Sequence, residues 1–186
     1  MTLQAKAKPV AHRSAAVFVS GPTLPLLSFL QVTLTNQMFK FAWMTSVLTD
    51  THFFQRDRMG RLMTFLARSI DNGWTGARSA ALGVAISEHT AVLLDSASGQ
   101  ASMLGVGPTY FLLGSRAAHT LAHTPLTFEE VIVHKWDGSG TAATDASFSF
   151  SAWAEHGRIE SAGLASYNIS AIAGVLSSTQ ASGSVY

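Results

Sequence analysis

A single mixed domain, α/β or α+β and strand-rich toward its C-terminal end, is what the sequence predicts, on three observations. Met59, Leu62, Met63, Leu66 and Ile70 recur at spacings of three and four and form one apolar stripe, the signature of an amphipathic helix. After Trp74 the texture changes to short apolar runs broken by Gly and Ser: "AALGVAI", "TAVLLD", "ASMLGV", "PTYFLLG", "FEEVIVHKW", "ASFSFSAW" and "SYNISAI", each of strand length. At 186 residues the chain suits one domain with its own apolar core.

Taken in order, residues 1–14 read as a polar arm, and "AAVFVSG" as a buried strand leading into a loop. The alternative for that region is a targeting segment, because Lys6, Lys8, Arg13 and Lys40 precede the first acid, Asp50, and an apolar stretch follows the basic start. Gly21, Pro22 and Pro25 interrupt that stretch. Residues 36–48, "NQMFKFAWMTSVL", are long and apolar enough for a short helix. The striped helix follows, with Asp50 or Thr51 as its cap and Asn72 and Gly73 as its stop. "DSASGQ" predicts a hairpin loop at 95–100, and "DGSGTAATD" a longer exposed loop at 137–145. In "ASFSFSAW" the alternation of Phe148 and Phe150 with Ser147, Ser149 and Ser151 predicts a half-buried strand. Glu129 and Glu130, adjacent in a strand, should face opposite ways.

Composition excludes several functions. Hydrophobic residues make up 47% of the chain and charged ones 12%, which argues against disorder over most of the length. A net charge of +1 offers no basic footprint for nucleic acid. With no cysteine there is no thiol nucleophile, thiolate metal site or disulfide, and the compartment stays open, leaning to the cytoplasm. No apolar run reaches the roughly 18 residues of a membrane-spanning helix. His119 and His123 have the H-x-x-x-H spacing but lack the glutamate of a zinc protease, so they read as ordinary histidines. "NIS" at 168–170 is a glycosylation triplet inside an expected strand.

The few charges concentrate in "VLTDTHFFQRDRMGRLMTFLAR", residues 47–68. A neutral imidazole can take a proton from a hydroxyl near physiological pH, which makes His52 a candidate general base. Arg56, Arg58 and Arg61 follow it at plus four, plus six and plus nine. They cannot share one helical face and so can pair with carboxylates in several directions, either of a substrate or of the protein itself. From residue types alone, a capped helix with a solvated basic face explains the same segment.

"TDTHFFQRDRMGRLMTFLA" resembles the D-x-H-F-x-x-R-x-R-x-x-R-L segment of the cyanophycinase-like serine peptidases, relatives of the dipeptidase that cleaves after N-terminal aspartate. "ALGVAISEHTAVLLD" is similar to that family's glycine-containing strand and the T-A-L strand after it, "GVGPTYFLL" to its G-x-G-x-x-Y-x-L segment, and "SYNISAIAGVLSS" to its closing strands. The resemblance covers residues 46–186 and leaves 1–45 as a non-matching segment. It implies a flavodoxin-like layered fold shared with class I glutamine amidotransferase-like proteins, and a serine hydrolase mechanism that uses no metal or cofactor. In it, His52 would take the proton of a serine held on a strand-to-helix elbow. Thr51, Arg56, Arg58 and Arg61 would line a pocket for an acidic peptide, aspartyl or β-aspartyl. Thr51 stands where the cyanophycinases often have glutamine, and the acidic pair often found before "TA" is weakened to Ser87, Glu88 and His89; both departures count against cyanophycin itself as the substrate.

The family carries its nucleophile in a G-x-S-A-G element upstream of the histidine block, and these residues contain no G-x-S-x-G. The nearest lookalike, "ARSAAL" around Ser79, falls after His52 rather than before it. The expectation is therefore a chain inactive by itself, whose elbow serine and acidic partner come from an upstream half or another chain. The alternative is an inactive remnant that acts as a binding or structural module, with an unpaired sheet edge that favours homo-oligomers.

Overall fold

The computed structural model describes residues 42–44, 46–75, 78–115, 120, 124–140 and 146–186. The basic and apolar N-terminal stretch and the His119/His123 pair lie outside them.

The apolar stripe becomes helix α1, Met59–Asp71, and buries Met59, Leu62, Met63 and Leu66 completely. It stops as expected: the N–H groups of Asn72 and Gly73 donate to the carbonyls of Arg68 and Ile70, and Gly73 takes φ 68°, the left-handed geometry that ends helices without a Cβ clash. Its start differs from expectation. The capping position is Arg58, with no side-chain cap, because Asp50 is engaged elsewhere, on the strand before it.

That strand is β1, Val47–Thr51. The expected helix over 36–48 is replaced, within the described part, by a single 3-10 turn at Ala42–Met44 and then β1. Pairing with a neighbouring strand supplies hydrogen bonds and cross-strand contacts that outweigh helical preference in so short a segment. The neighbour is β2, Ala81–Ile86, parallel to β1 with Val47 beside Leu82 and Thr51 beside Ile86. A parallel pair needs a long crossover, and α1 is that crossover.

From β2 onward the chain is mostly antiparallel. β3 (Thr90–Leu94) and β4 (Gln100–Gly105) form the hairpin expected around "DSASGQ". β5 (Thr109–Gly114) returns to pair with β2, β6 (Phe128–Trp136) pairs with β5, β9 (Ala165–Ile172) with β6, and β10 (Val175–Ser178) with β9. The larger sheet thus runs β1-β2-β5-β6-β9-β10, and a smaller one runs β3-β4-β7-β8, where β7 is Ser147–Ser149 and β8 is Ser161–Ala162. The chain is therefore mixed α/β, strand-rich, with two sheets and few helices. In the larger sheet only the β1–β2 pairing is parallel among the described residues.

Two strand expectations need correction. "ASFSFSAW" is a strand only as far as Ser149; helix α2, Phe150–His156, begins there because the Ser149 hydroxyl caps it by accepting from the N–H of Ala152. Glu129 and Glu130 do not alternate: the register slips between Phe128 and Val131, Glu130 adopts φ 55°, and both side chains face solvent.

The larger sheet is covered on both faces. α1 packs with Ala81, Ala85, Tyr110, Leu112 and Val133 on one. On the other, Leu82, Val84, Phe111 and Trp136 meet Met103, Phe148, Phe150 and Trp153 of the smaller sheet and α2. Phe111 and Phe148 stack at 3.8 Å between ring centres, joining the sheets, and burial of each such ring contributes about 2 kcal/mol. No helix among the described residues is long and apolar enough to cross a membrane.

Candidate functional site

β1 and β2 point their C-terminal ends the same way, and the candidate residues gather where they end. β1 stops at Thr51 and the chain reverses at once: His52 has φ 51° and Asp57 φ 50°. Both lie in the left-handed region, which strains a residue that carries a Cβ by roughly 1 kcal/mol or more. The turn closes through N–H donation from Arg56 to the His52 carbonyl and from Arg58 to the Phe53 carbonyl, each at 3.2 Å. Phe53 N–H in turn donates to Ile86 O, which ties the turn to the end of β2.

Just past β2 lies Glu88. Its Oε1 is 2.8 Å from His52 Nδ1, with the two side chains 34% and 49% exposed. The hydrogen bond from His52 holds the Glu88 carboxyl below its usual range, and the nearby charge of Arg56 adds to the effect. An ionised carboxylate only accepts, so Nδ1 carries the proton and a neutral His52 keeps its lone pair on Nε2. That is the tautomer a general base needs. Gln55 from the His52 turn also accepts from the Glu88 N–H at 3.1 Å.

Backbone contacts fix the Glu88 segment. Thr90 Oγ1 accepts from the N–H of Gly107 at 2.9 Å and lies 3.0 Å from its carbonyl. A Cβ at Gly105 would meet His89 O at 2.2 Å, and one at Gly138 would meet Gly105 O at 2.6 Å. Glycine is required at both positions because three loops approach each other backbone to backbone.

The arginines divide. Asp50 is buried, and Arg61 grips it with both Nε (2.9 Å to Oδ2) and Nη2, while Arg58 Nη1 reaches Oδ1 at 3.1 Å and also donates to the carbonyl of Thr51. Arg58 and Arg61 thus bind a carboxylate of the protein itself, one of the two options the spacing allowed, and they fasten α1 to β1. Arg56 stays exposed, near enough to Glu88 for its charge to be felt. Thr51 is exposed at the strand end. The structure brings together His52, Arg56, Gln55 and Glu88; it sets Arg58 and Arg61 apart on Asp50.

Among the described residues no serine or threonine hydroxyl hydrogen-bonds to His52. Ser79 lies before the start of β2, at the end of the strand opposite His52, on the order of 20 Å away along the strand direction. A hydroxyl does meet a histidine elsewhere: Ser161 on β8 is 2.8 Å from Nδ1 of His134 on β6. Four buried polar atoms have no partner among the described residues: Ser87 Oγ, Thr109 Oγ1, Tyr110 Oη and Trp136 Nε1.

Sequence reasoning did not anticipate Glu88 as the partner of His52; it expected an acid from upstream. The available signal was an acid two residues past β2 in "ISEHTA", legible only once β2 is known to lie beside β1. The chain matches no protein-family model, no curated protein and no solved structure.

Proposed function

We propose that residues 46–186 are the C-terminal part of a cyanophycinase-like serine-type peptidase domain that hydrolyses aspartyl or β-aspartyl peptides. His52 is its general base and Glu88 the acid that orients it. The observation that supports this reading best is the His52–Glu88 pair, a base held in the productive tautomer with Nε2 unengaged among the described residues. Arg56, exposed beside it, supplies a cation for the acidic side chain of the substrate, and Thr51 lines the same strand end. The full domain has the flavodoxin-like layered architecture of class I glutamine amidotransferase-like proteins, with β1–α1–β2 as one of its units. The nucleophile comes from a G-x-S-A-G elbow outside these 186 residues, in the same polypeptide or in another.

The experiment is labelling with a serine-directed phosphonate, paired with hydrolysis of a β-aspartyl dipeptide. These residues alone should neither label nor hydrolyse. Supplied with an elbow-bearing half, the complex should do both, and His52→Ala should abolish both. Stoichiometric labelling of a serine within these residues alone would overturn the reading.

A second reading, a binding or structural module without catalysis, draws support from apolar side chains left in solvent: Leu93 and Leu104 on the β3–β4 hairpin, Val106 after it, and Ile172 and Val175 at the β9–β10 turn. Light scattering separates the two. Concentration-dependent dimers that disappear on Leu93→Lys with Leu104→Lys favour the module; a monodisperse monomer disfavours it.

A further inference from the structure

The turn that carries His52 is closed by its own backbone hydrogen bonds and tied to the end of β2, yet it is strained. Two of its residues sit in the left-handed region, and α1 begins directly after it without a side-chain cap, so the first N–H groups of the helix lack the usual acceptor. A further hold on it comes from the far end of the sequence. The Tyr186 phenol donates to Asp57 Oδ1 at 2.8 Å and accepts from the N–H of Met59 at 3.0 Å, across a separation of 127 residues. Its ring stands edge-on to Phe53 at 5.8 Å, Phe54 at 5.3 Å and Tyr110 at 5.9 Å. Phe53 and Phe54 directly follow His52, and Asp57 and Met59 close the turn.

We propose that Tyr186 is a positioning residue for the His52–Glu88 pair: it clamps both ends of the 52–58 turn and thereby fixes the imidazole against Glu88. This rests on the reading of that pair as the working base and its orienting acid. Residues 180–186 are built to carry the clamp. Gln180 Nε2 donates to Ser184 O at 2.7 Å, Ser184 Oγ accepts from the N–H of Tyr186 at 3.1 Å, and Tyr167 Oη donates to Val185 O at 3.2 Å. The phenol remains a donor throughout the working range, because burial pushes its ionisation well above that of an ordinary tyrosine. The strain of the turn is thus opposed by two hydrogen bonds and two ring contacts from one side chain, which itself rests on Tyr110 of β5.

The test needs no activity. Ring-nitrogen NMR of His52 reports which nitrogen carries the proton, and amide exchange at Arg56 and Arg58 reports opening of the turn. Tyr186→Phe keeps the ring and removes the hydroxyl. It should raise exchange at both amides about 30-fold, the factor for the two net hydrogen bonds the hydroxyl makes, and shift His52 away from the Nδ1-protonated form. Tyr186→Ala should do so more strongly. Asp95→Asn, which removes a carboxylate from the distant β3–β4 turn, should change neither signal even where it lowers global stability. Wild-type values at His52 and at both amides in Tyr186→Phe would overturn the proposal. Should the His52 signals move as expected while His52→Ala leaves peptide hydrolysis intact in the reconstituted enzyme, the functional reading fails and the clamp stands.

Discussion

His52 and His134 make opposite halves of one chemical arrangement. His52 follows β1 on a strained turn, half exposed, and its Nδ1–H donates a hydrogen bond to a carboxylate. His134 sits within β6, partly buried between the sheets, and its Nδ1 faces the hydroxyl of Ser161 on β8. Burial lowers its affinity for a proton, which favours the neutral ring, and Nδ1 shares its hydrogen bond with the serine hydroxyl. Among the described residues, one ring has an acid and no alcohol and the other an alcohol and no acid. The difference teaches that a short Ser–His contact alone is weak grounds for a nucleophile. At His134 it joins two sheets. Under the proposed function, His52 is the ring that solvent, and so a substrate, can reach.

Substitutions can break that comparison. In a reconstituted enzyme His52→Ala should lower kcat/KM by at least about 1000-fold and Glu88→Gln by about 100-fold, whereas His134→Gln should change it by less than about twofold. A comparable loss at His134 would reverse the assignment of roles. Next in size is a stability effect beside the His52 turn: Asp50→Ala leaves two partly buried arginines without their carboxylate and should cost about 3 kcal/mol, read as a fall in the denaturation midpoint. Ser161→Ala should cost only about 1 kcal/mol and leave the His52 NMR signals untouched.

Acid sharpens the contrast further, because the two histidine environments lose stability in different windows. The proton affinity of His134 is depressed in the folded chain, so the unfolded chain binds more protons below the ordinary histidine range of about 6.5. Stability therefore falls as pH drops from about 6.5 through the depressed value, and His134→Gln should flatten that limb. Glu88 is also depressed, from an ordinary value of 4.5. Its contribution is complete above that value and is lost as pH falls through the lowered one, so Glu88→Gln should flatten only the more acidic limb. Urea midpoints measured between pH 3 and pH 8 check both signs.

Much of the fold was legible because it is local. The 3.6-residue stripe of α1, the stop at Asn72 and Gly73, and the β3–β4 hairpin depend on neighbours in sequence, and each formed as expected. Errors arose where a partner distant in sequence decides. Val47 and Leu48 are strand because β2 lies alongside them, and Phe150 is helical because Ser149 caps a turn that the Phe/Ser alternation also permits. For the candidate site, His52 and Arg56 could be named from the sequence. Glu88 could not, since its approach needs the parallel β1–β2 register, and neither could Tyr186, which returns from the end of the described chain to the start of α1.

Gly105, Gly107 and Gly138 bring three loops into contact through their main chains around the Glu88 segment. A fit made from backbone cannot be retuned one side chain at a time, so this corner should appear in a deep mutational scan as an intolerant island beside the permissive, solvent-facing Leu93 and Val106. The exposed Arg56 side carries no such backbone constraint, so substitutions there should be tolerated far better than at these glycines.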